Sequence, residues 1–235
     1  MTIAENVARI RAEIDEAARA AGRDPAEITL VAASKMNGAD RVREAIAAGV
    51  DACGENRVQE MLEKQAQGAY KGAPLHFIGH LQKNKVKQVV GLAALIHGAD
   101  SVALLEAIDR CAEKRGLTQD VLLEVNIGGE ETKSGFAPEE LEEALSSAAA
   151  FSHIRVRGLM CIPPAGRGEE ENRLNFTKMH KLFVDIGRKK YDNISMDFLS
   201  MGMSGDFACA IACGANMVRV GSAIFGPRPY QTIET

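Results

Sequence analysis

Short apolar runs rich in β-branched residues alternate along the chain with segments whose apolar residues recur at helical spacing. Eight runs are predicted as strands: Ile28–Ser34, Val50–Cys53, Leu75–Ile78, Ala94–His97, Val121–Val125, Val156–Met160, Met196–Leu199 and Met217–Val220. The helical segments between them include Ala39–Ala48, Ser101–Arg115, Pro138–Ala149 and Glu169–Lys189. This alternating order predicts a parallel sheet that helices cover.

Eight strand–helix units, preceded by one extra amphipathic helix near the N-terminus, favour a closed (β/α)₈ TIM-type barrel that forms a single domain over residues 1–235. The fourth run, Ala94–His97, is the weakest, so an open doubly wound sheet stays as the alternative. An open sheet would bind its ligand at one switch point. Here, by contrast, chemically useful polar residues follow nearly every predicted strand.

Composition and charge narrow the class of protein. Hydrophobic residues make up 46% of the chain and charged residues 26%, which suits a sizeable core under ordinary solvated surface. The net charge of -4 and the lack of a long basic run argue against a nucleic-acid binder. Five cysteines without paired CxxC spacing argue against a disulfide framework and a structural zinc site. With no signal-peptide pattern and no apolar span long enough to cross a membrane, we expect a cytoplasmic protein. The cysteines and His80 lack partners at metal-ligand spacing, so we expect no bound metal.

In a barrel, the polar residues that follow the strands converge on the C-terminal mouth. These residues are Lys35 after the first strand, Glu55, Asn56 and Arg57 after the second, His80 and Gln82 after the third, Asn126 after the fifth, Ser200 and Ser204 at the seventh, and Arg219, Gly221 and Ser222 at the eighth. The convergence follows from topology, so it does not depend on any single motif. For His80, a structural role and a functional role remain equally open.

Lys35 ends the apolar run ITLVAAS, so its aliphatic stem leaves the barrel wall partly desolvated. Desolvation lowers the pKa of a lysine, and the neutral amine attacks a carbonyl carbon. A lysine at the end of a strand is equally well explained as a surface charge. The residue by itself therefore leaves both readings open.

Two loops rich in glycine and serine follow the seventh and eighth strands, as SMGMSGD (residues 200–206) and RVGS (residues 219–222). Glycines allow the backbone to approach an anion, and serine hydroxyls add hydrogen-bond donors. A phosphate site after strands seven and eight recurs in barrels of this kind. The alternative is two tight turns in which Ser204 caps a helix.

Arg219 is predicted to point into the barrel. A buried guanidinium needs an acceptor, because an unpaired buried charge is costly. A ring nitrogen of a ligand would serve, and so would the carboxylate of Glu55 or Asp206. The sequence leaves these acceptors open.

Taken together, the motifs VAASK, GENRVQE, HFIGHLQKNK, VNIGGEETKSGF, RGLMCIPP, LSMGMSGD and MVRVGSAIFG resemble those of the pyridoxal phosphate homeostasis protein family. The resemblance runs from the N-terminal helix to FGPRPY, which is nearly the whole chain. It implies a barrel like the N-terminal domain of alanine racemase. It also implies a role in intracellular homeostasis of pyridoxal 5′-phosphate (PLP) and in amino-acid metabolism.

The resemblance also implies roles for individual residues. PLP would form an aldimine with Lys35, and Arg219 would face its pyridine nitrogen. The phosphate would contact Ser200, Ser204, Gly221 and Ser222, and Asn56 would line the site. The chain departs from the family pattern at Met36–Gly38 and at Ala208, so the resemblance implies no contacts there. The partners it implies are PLP and apo PLP-dependent enzymes, and we expect a monomer.

A racemase-like reaction needs two bases, one on each face of the substrate α-carbon. Lys35 would be one, but Tyr70, Tyr191 and Tyr230 do not fall at a predicted strand mouth. A guanidinium beside the ring nitrogen disfavours its protonation and weakens the ring as an electron sink. We therefore predict a PLP-binding regulator without catalytic residues. A low-activity PLP-dependent amino-acid enzyme and a Schiff-base phosphosugar aldolase remain the alternatives.

Overall fold

Eight parallel strands close into a barrel. The structure is a computed structural model, and it describes residues 1–130, 132–164, 166 and 168–227. The strands are β1 Thr29–Ala33, β2 Ala52–Glu55, β3 Leu75–Phe77, β4 Leu95–Ala99, β5 Gln119–Glu124, β6 Ile154–Met160, β7 Ile194–Ser200 and β8 Met217–Val220. They pair in chain order, and β8 pairs with β1 from Thr29↔Met217 to Ala32↔Val220. The predicted closed barrel is confirmed, and the open sheet is wrong.

Helices alternate with the strands. They are α1 Ile3–Ala20, α2 Ala39–Ala47, α3 Val58–Ala66, α4 Val86–Val89, α5 Val102–Glu113, α6 Leu141–Ala149, α7 Glu169–Gly187, α8 Phe207–Ala212 and α9 Ser222–Phe225. Short 3₁₀ turns occupy Pro25–Glu27, Lys83–Lys85 and Pro138–Glu140. The extra N-terminal helix and the four predicted helical segments are confirmed within a few residues at each end.

Alternation along the strands separates an inner cluster from an outer one. The inner cluster fills the barrel and consists of Val31, Ala52, Leu95, Leu122, Met160 and Met217. The neighbours Leu30 and Ala32 belong instead to the outer cluster, which lies between the barrel and the helices. Since successive residues of a strand face opposite sides, Ser34 continues the outer row and Lys35 the inner row. Lys35 therefore reaches the barrel mouth.

A charged group closes the N-terminal end of the barrel. Arg157 Nη1 lies 2.8 Å from Asp120 Oδ2, and Arg157 Nε lies 2.5 Å from Asp197 Oδ2. The guanidinium carbon also stands 5.3 Å from the centre of the Phe198 ring, within range of a cation–π contact. In such barrels, residues at the N-terminal end usually contribute to stability, whereas binding groups collect at the C-terminal end.

Helix α1 packs against α8 and α9, which follow the last two strands. Thr2 and Glu5 form a capping box at its start, and Ile10 and Ile14 are buried on its inner face. Asn6 Nδ2 donates a hydrogen bond to the carbonyl of Ile224 at 2.8 Å. The extra helix thus supports the segment that follows β8.

The remaining expectations from composition concern thiols, membranes and metals. All five cysteines are free. In the part of the chain that the structure describes, no helix has the length and apolar character that crossing a bilayer requires. Among the same residues, no group of three His, Cys, Asp or Glu side chains is arranged to hold a metal ion.

Candidate functional site

Two adjoining cavities open at the C-terminal mouth of the barrel, with volumes of about 250 Å³ and about 360 Å³. They share Ala33, Lys35, Met203 and Arg219 as lining residues. The sequence predicts seven site residues, and six of them line these cavities: Lys35, Arg219, Ser204, Gly221 and Ser222 at the first, and Asn56 with Lys35 and Arg219 at the second. Ser200 lines neither of the two.

The loops after β7 and β8 are joined into one cup. Ser204 Oγ accepts hydrogen bonds from the backbone N–H groups of Gly221, at 3.1 Å, and of Ala223, at 3.4 Å. Gly202 allows the first loop to turn, because its φ is +92° and a Cβ there would stand 2.7 Å from Ala210 Cβ. Across the described residues, the backbone N–H groups of Ser204, Gly205 and Ser222 find no acceptor. The cup can therefore donate several hydrogen bonds to an anion.

Ser204 does not cap α8, the helix that follows its own loop. Asp206 holds the N-cap position of α8, and its Oδ1 accepts from the backbone N–H of Met203 at 2.6 Å. The Ser204 side chain turns away from α8 toward the β8 loop. The hydroxyl therefore connects two loops.

Arg219 is buried, and its guanidinium is oriented by neutral groups. Nη1 donates to Ser200 Oγ at 2.6 Å, and Nη2 donates to the carbonyl of Cys161 at 2.9 Å. Neither Glu55 nor Asp206, the acidic partners that the sequence left open, forms an ion pair with it among the described residues. Burial lowers the pKa of Arg219 below its ordinary value, while Cys161, Glu124 and Asp206 raise it. A guanidinium has five N–H donors, so Arg219 retains donors for a ligand in the cavity.

Ser200 lies inside the barrel wall and continues this chain of hydrogen bonds. Its Oγ lies 3.1 Å from His97 Nδ1, and His97 Nε2 lies 3.1 Å from His76 Nδ1. Since Ser200 Oγ already accepts from Arg219, its own proton is donated to His97 Nδ1, the acceptor that the described residues offer it. The His97 proton then sits on Nε2 and is donated to His76. In the structure the Ser200 hydroxyl is hydrogen-bonded to Arg219 and His97, and the phosphate contact that the resemblance implies for it stays a prediction.

The two histidines in this row of hydrogen bonds, His76 and His97, are neutral at physiological pH. Burial lowers the pKa of His76 to about 4. Burial also lowers the pKa of His97 well below its ordinary range, and the charges of His76 and Arg219 lower it further. Neutral rings suit the surroundings, because a second buried cation beside Arg219 would be costly.

Glu124 is an acidic group in the second cavity that sequence reasoning missed. Burial raises its pKa, as does Asp100, whereas Arg219 and His80 lower it. The signal in the sequence was a lone acid at the end of the apolar run VLLEV. His80 itself is mostly exposed, and its Nδ1 lies 2.8 Å from Asp100 Oδ2. The lining of the second cavity thus includes an acid, Glu124, together with the basic side chains of Lys133 and Arg219.

Asn56 presents a buried acceptor that the described residues leave unsatisfied, its Oδ1. Gly79 holds the backbone of this segment close, since a Cβ there would lie 2.3 Å from the Asn56 carbonyl oxygen. An unsatisfied buried oxygen is costly unless a ligand or water donates to it. The mouth therefore offers a lysine amine, an anion cup, a guanidinium and a free amide oxygen. These groups fit a phosphorylated aromatic aldehyde with a ring hydroxyl.

Comparison with known proteins identifies the family to which the chain belongs. Residues 6–229 match the family described as alanine racemase, N-terminal domain. A pyridoxal phosphate homeostasis protein of Pseudomonas aeruginosa is 42% identical over 232 residues, which cover 97% of each chain. A protein of the same name from Aquifex aeolicus is 41% identical and is covered completely, against 98% of this chain.

A solved structure shows the same likeness in three dimensions. PipY of Synechococcus elongatus, described with PLP bound, superposes with a TM-score of 0.83 at 33% identity. The match covers 96% of this chain and 100% of PipY. The chain therefore belongs to the pyridoxal phosphate homeostasis protein family, and its barrel is that of the alanine racemase N-terminal domain.

Proposed function

We propose that this chain binds PLP at the barrel mouth, covalently through Lys35, and serves the intracellular homeostasis of PLP rather than turnover of a substrate. The observation that carries the proposal is that Lys35 and the Ser204–Ser222 cup line one cavity of about 250 Å³. A phosphorylated aldehyde needs an amine and an anion site at two ends of one cavity. The structure of PipY with PLP bound supports the same reading.

The cup would hold the phosphate through the hydroxyls of Ser204 and Ser222 and through backbone N–H groups at Gly205 and Ser222. Arg219 would face the ring, and Asn56 would accept a hydrogen bond from the ring hydroxyl. When bound, PLP supplies an aldehyde that condenses with a primary amine and releases one water. Lys35 supplies that amine, at the end of an apolar strand that restricts its stem.

A regulatory role fits the groups around the site better than racemisation does. Tyr70 donates its hydroxyl to Glu55 at 3.2 Å on the outer side of the barrel, and Tyr191 does not line the two cavities. Tyr230 lies outside the described residues. A second base opposite Lys35 is thus not found among the described tyrosines. In keeping with the name of the family, we propose a cytoplasmic monomer that passes PLP to apo enzymes.

The test is reduction of the PLP complex with borohydride, followed by peptide mapping. We expect visible absorbance from the complex and one labelled residue, Lys35. Lys133 lines the second cavity beside Lys35 and is the internal control for selective labelling. Lys35→Ala should abolish the label while phosphate-bearing ligands still bind. Labelling at Lys133 of the unaltered protein, or a label that persists in Lys35→Ala, would overturn the assignment.

A further inference from the structure

A buried cluster of three charged side chains lies outside the barrel wall, between β2 and α3. Lys64 Nζ lies 2.6 Å from Glu55 Oε1 and 2.7 Å from Glu60 Oε1. The side chains of Glu55 and Lys64 expose 0% and 5% of their area, and that of Glu60 exposes 19%. None of these residues lines the two cavities at the mouth. The role of the cluster is therefore not direct contact with a ligand.

The cluster instead binds the residues on both sides of Lys35. Ser34 Oγ donates to Glu55 Oε1 at 2.6 Å, and Lys64 Nζ donates to the Ser34 carbonyl at 2.8 Å. On the other side, the backbone N–H of Met36 donates to Glu60 Oε1. Two of these hydrogen bonds hold the backbone immediately before and after the lysine, and the third holds the side chain of Ser34.

Met36 shows why such a clamp is needed. Its φ is +62°, which is the left-handed region that residues with a side chain seldom adopt. The residue is 45% exposed, so packing of its side chain does not hold this conformation. Two backbone hydrogen bonds do: the Met36 N–H donates to Glu60, and the Asn37 N–H donates to the Ser34 carbonyl at 3.1 Å. Strained backbone next to a functional residue persists only where surrounding contacts impose it.

Stability alone is a poor explanation for this cluster. Buried ion pairs are often no more stabilising than apolar residues of the same size, because taking charges out of water is costly. Here the charges meet one another at the two residues that flank Lys35. We propose that Glu55, Lys64 and Glu60 form a positioning cluster that fixes the direction in which Lys35 enters the mouth. This inference rests on the proposed function, in which Lys35 attaches PLP.

Positioning predicts a split between two kinds of binding. Covalent attachment requires the Lys35 amine at one point in the mouth, so it depends on the cluster. Noncovalent binding uses chiefly the cup, in the loops after β7 and β8, and Arg219 on β8, which do not contact the cluster. Asn56, which would accept from the ring hydroxyl, is adjacent in sequence to Glu55 but does not contact Glu60. Pyridoxine 5′-phosphate carries the same ring and phosphate as PLP but no aldehyde, so it measures the noncovalent part alone.

The experiment compares Glu60→Ala with the matched change Glu63→Ala. Glu60 is the member of the cluster that is partly exposed, so its variant should fold. Glu63 is exposed on the same helix and contacts Gln59 and Gln67. The measurements are the rate of borohydride-trappable attachment of PLP to Lys35, the affinity for pyridoxine 5′-phosphate, and the thermal midpoint of unfolding.

We expect Glu60→Ala to slow attachment about tenfold, since it removes a hydrogen bond to a charged group. Affinity for pyridoxine 5′-phosphate should stay within about twofold of the unaltered protein. Glu60→Gln keeps an acceptor for the Met36 N–H and should restore most of the attachment rate. Glu63→Ala should leave both quantities unchanged.

Other outcomes overturn the inference. An unchanged attachment rate in Glu60→Ala would show that the cluster does not position Lys35. Equal losses for PLP and pyridoxine 5′-phosphate would show a general structural role. Failure of the proposed function looks different, because the unaltered protein would then carry no borohydride label on Lys35 at all.

Discussion

Ser200 Oγ lies 2.6 Å from Arg219 Nη1, and this contact ties the guanidinium of the mouth to the interior of the barrel. The serine is in turn bonded to His97, so the direction of Arg219 depends on three strands besides its own: β7 through Ser200, β4 through His97 and β6 through the Cys161 carbonyl that follows it. The orientation of the guanidinium is therefore a property of the whole barrel.

Ser200→Ala should lower the free energy of unfolding by about 1–3 kcal/mol, because a buried hydrogen bond to a charged donor is lost and His97 loses a partner. Urea denaturation followed by circular dichroism would measure the change. Ser195→Ala is the control, since Ser195 also forms a hydrogen bond with a charged side chain, donating to Asp197 at 2.6 Å, but is exposed. A Ser200→Ala variant as stable as the Ser195→Ala variant would contradict the buried chain of hydrogen bonds.

Ser204→Ala should weaken binding of pyridoxine 5′-phosphate by about 3- to 10-fold. This corresponds to the loss of one hydrogen bond to the ligand together with some ordering of the two loops. The N–H groups of Gly221 and Ala223 lose their acceptor in the same variant, so the cup loosens. Isothermal titration calorimetry gives the affinity. Ser222→Ala removes a hydroxyl without breaking this connection and should weaken binding less. The reverse order would place the connection between the loops elsewhere.

Because His76 is neutral in the folded protein, the free energy of unfolding should fall as the pH is lowered. Its pKa is about 4 in the folded protein and about 6.5 in the unfolded chain, so the unfolded state binds the proton more readily. Stability from this group is complete above about pH 6.5 and declines by about 2 kcal/mol when the pH falls to about 5. Glu55 and Glu124 have raised pKa values and act with the opposite sign.

The contribution of His76 is therefore read as a difference between two proteins. His76→Asn keeps an acceptor for the His97 proton but does not titrate in this range. Denaturation midpoints of both proteins at several pH values should converge as the pH falls from about 7 to about 5, on the scale of that loss. If the two curves of midpoint against pH stayed parallel, His76 would not be a group that takes up a proton when the protein unfolds.

Amino acids should not exchange their α-protons at an enzyme-like rate. In the proposed complex Arg219 would disfavour a proton on the ring nitrogen, and the described tyrosines supply no second base opposite Lys35. The lack of such a base commonly lowers rates by about 10²- to 10⁴-fold. The measurement is NMR of L- and D-amino acids in D₂O with the PLP complex. Exchange faster than about 1 s⁻¹ that disappears in Lys35→Ala would favour the enzyme over the regulator.

Much of the fold followed from periodicity, because buried parallel strands appear as continuous apolar runs. Even the weak fourth strand, predicted at Ala94–His97, occurs as Leu95–Ala99. The mouth followed from topology, since every strand of a barrel delivers its C-terminal end to the same face. Six predicted site residues accordingly line the two cavities there.

The partners of polar side chains were beyond the sequence. Ser200 and Ser204 occur in one motif, yet Ser200 lies within β7 and bonds inward, whereas Ser204 lies beyond the strand and bonds across to Gly221. A separation of four residues therefore places one hydroxyl inside the barrel wall and the other in the loop that lines the cavity. Lys64 lies on a helix of ordinary composition, and its burial follows from how α3 packs over Glu55. Distances between elements, which set such pairs, leave no periodic signal.

The extra helix α1 changes how genetic data on this protein would be interpreted. Arg9 Nη2 donates to the carbonyl of Ala223 at 3.1 Å, while the amide of that same residue donates to Ser204 Oγ. The backbone of Ala223 therefore links the position of α1 to the position of the cup. A screen for lost PLP retention should return substitutions near Asn6 and Arg9 among its hits. Deletion of α1, although the helix is peripheral, should therefore cause the same loss of PLP binding as a substitution in the site itself.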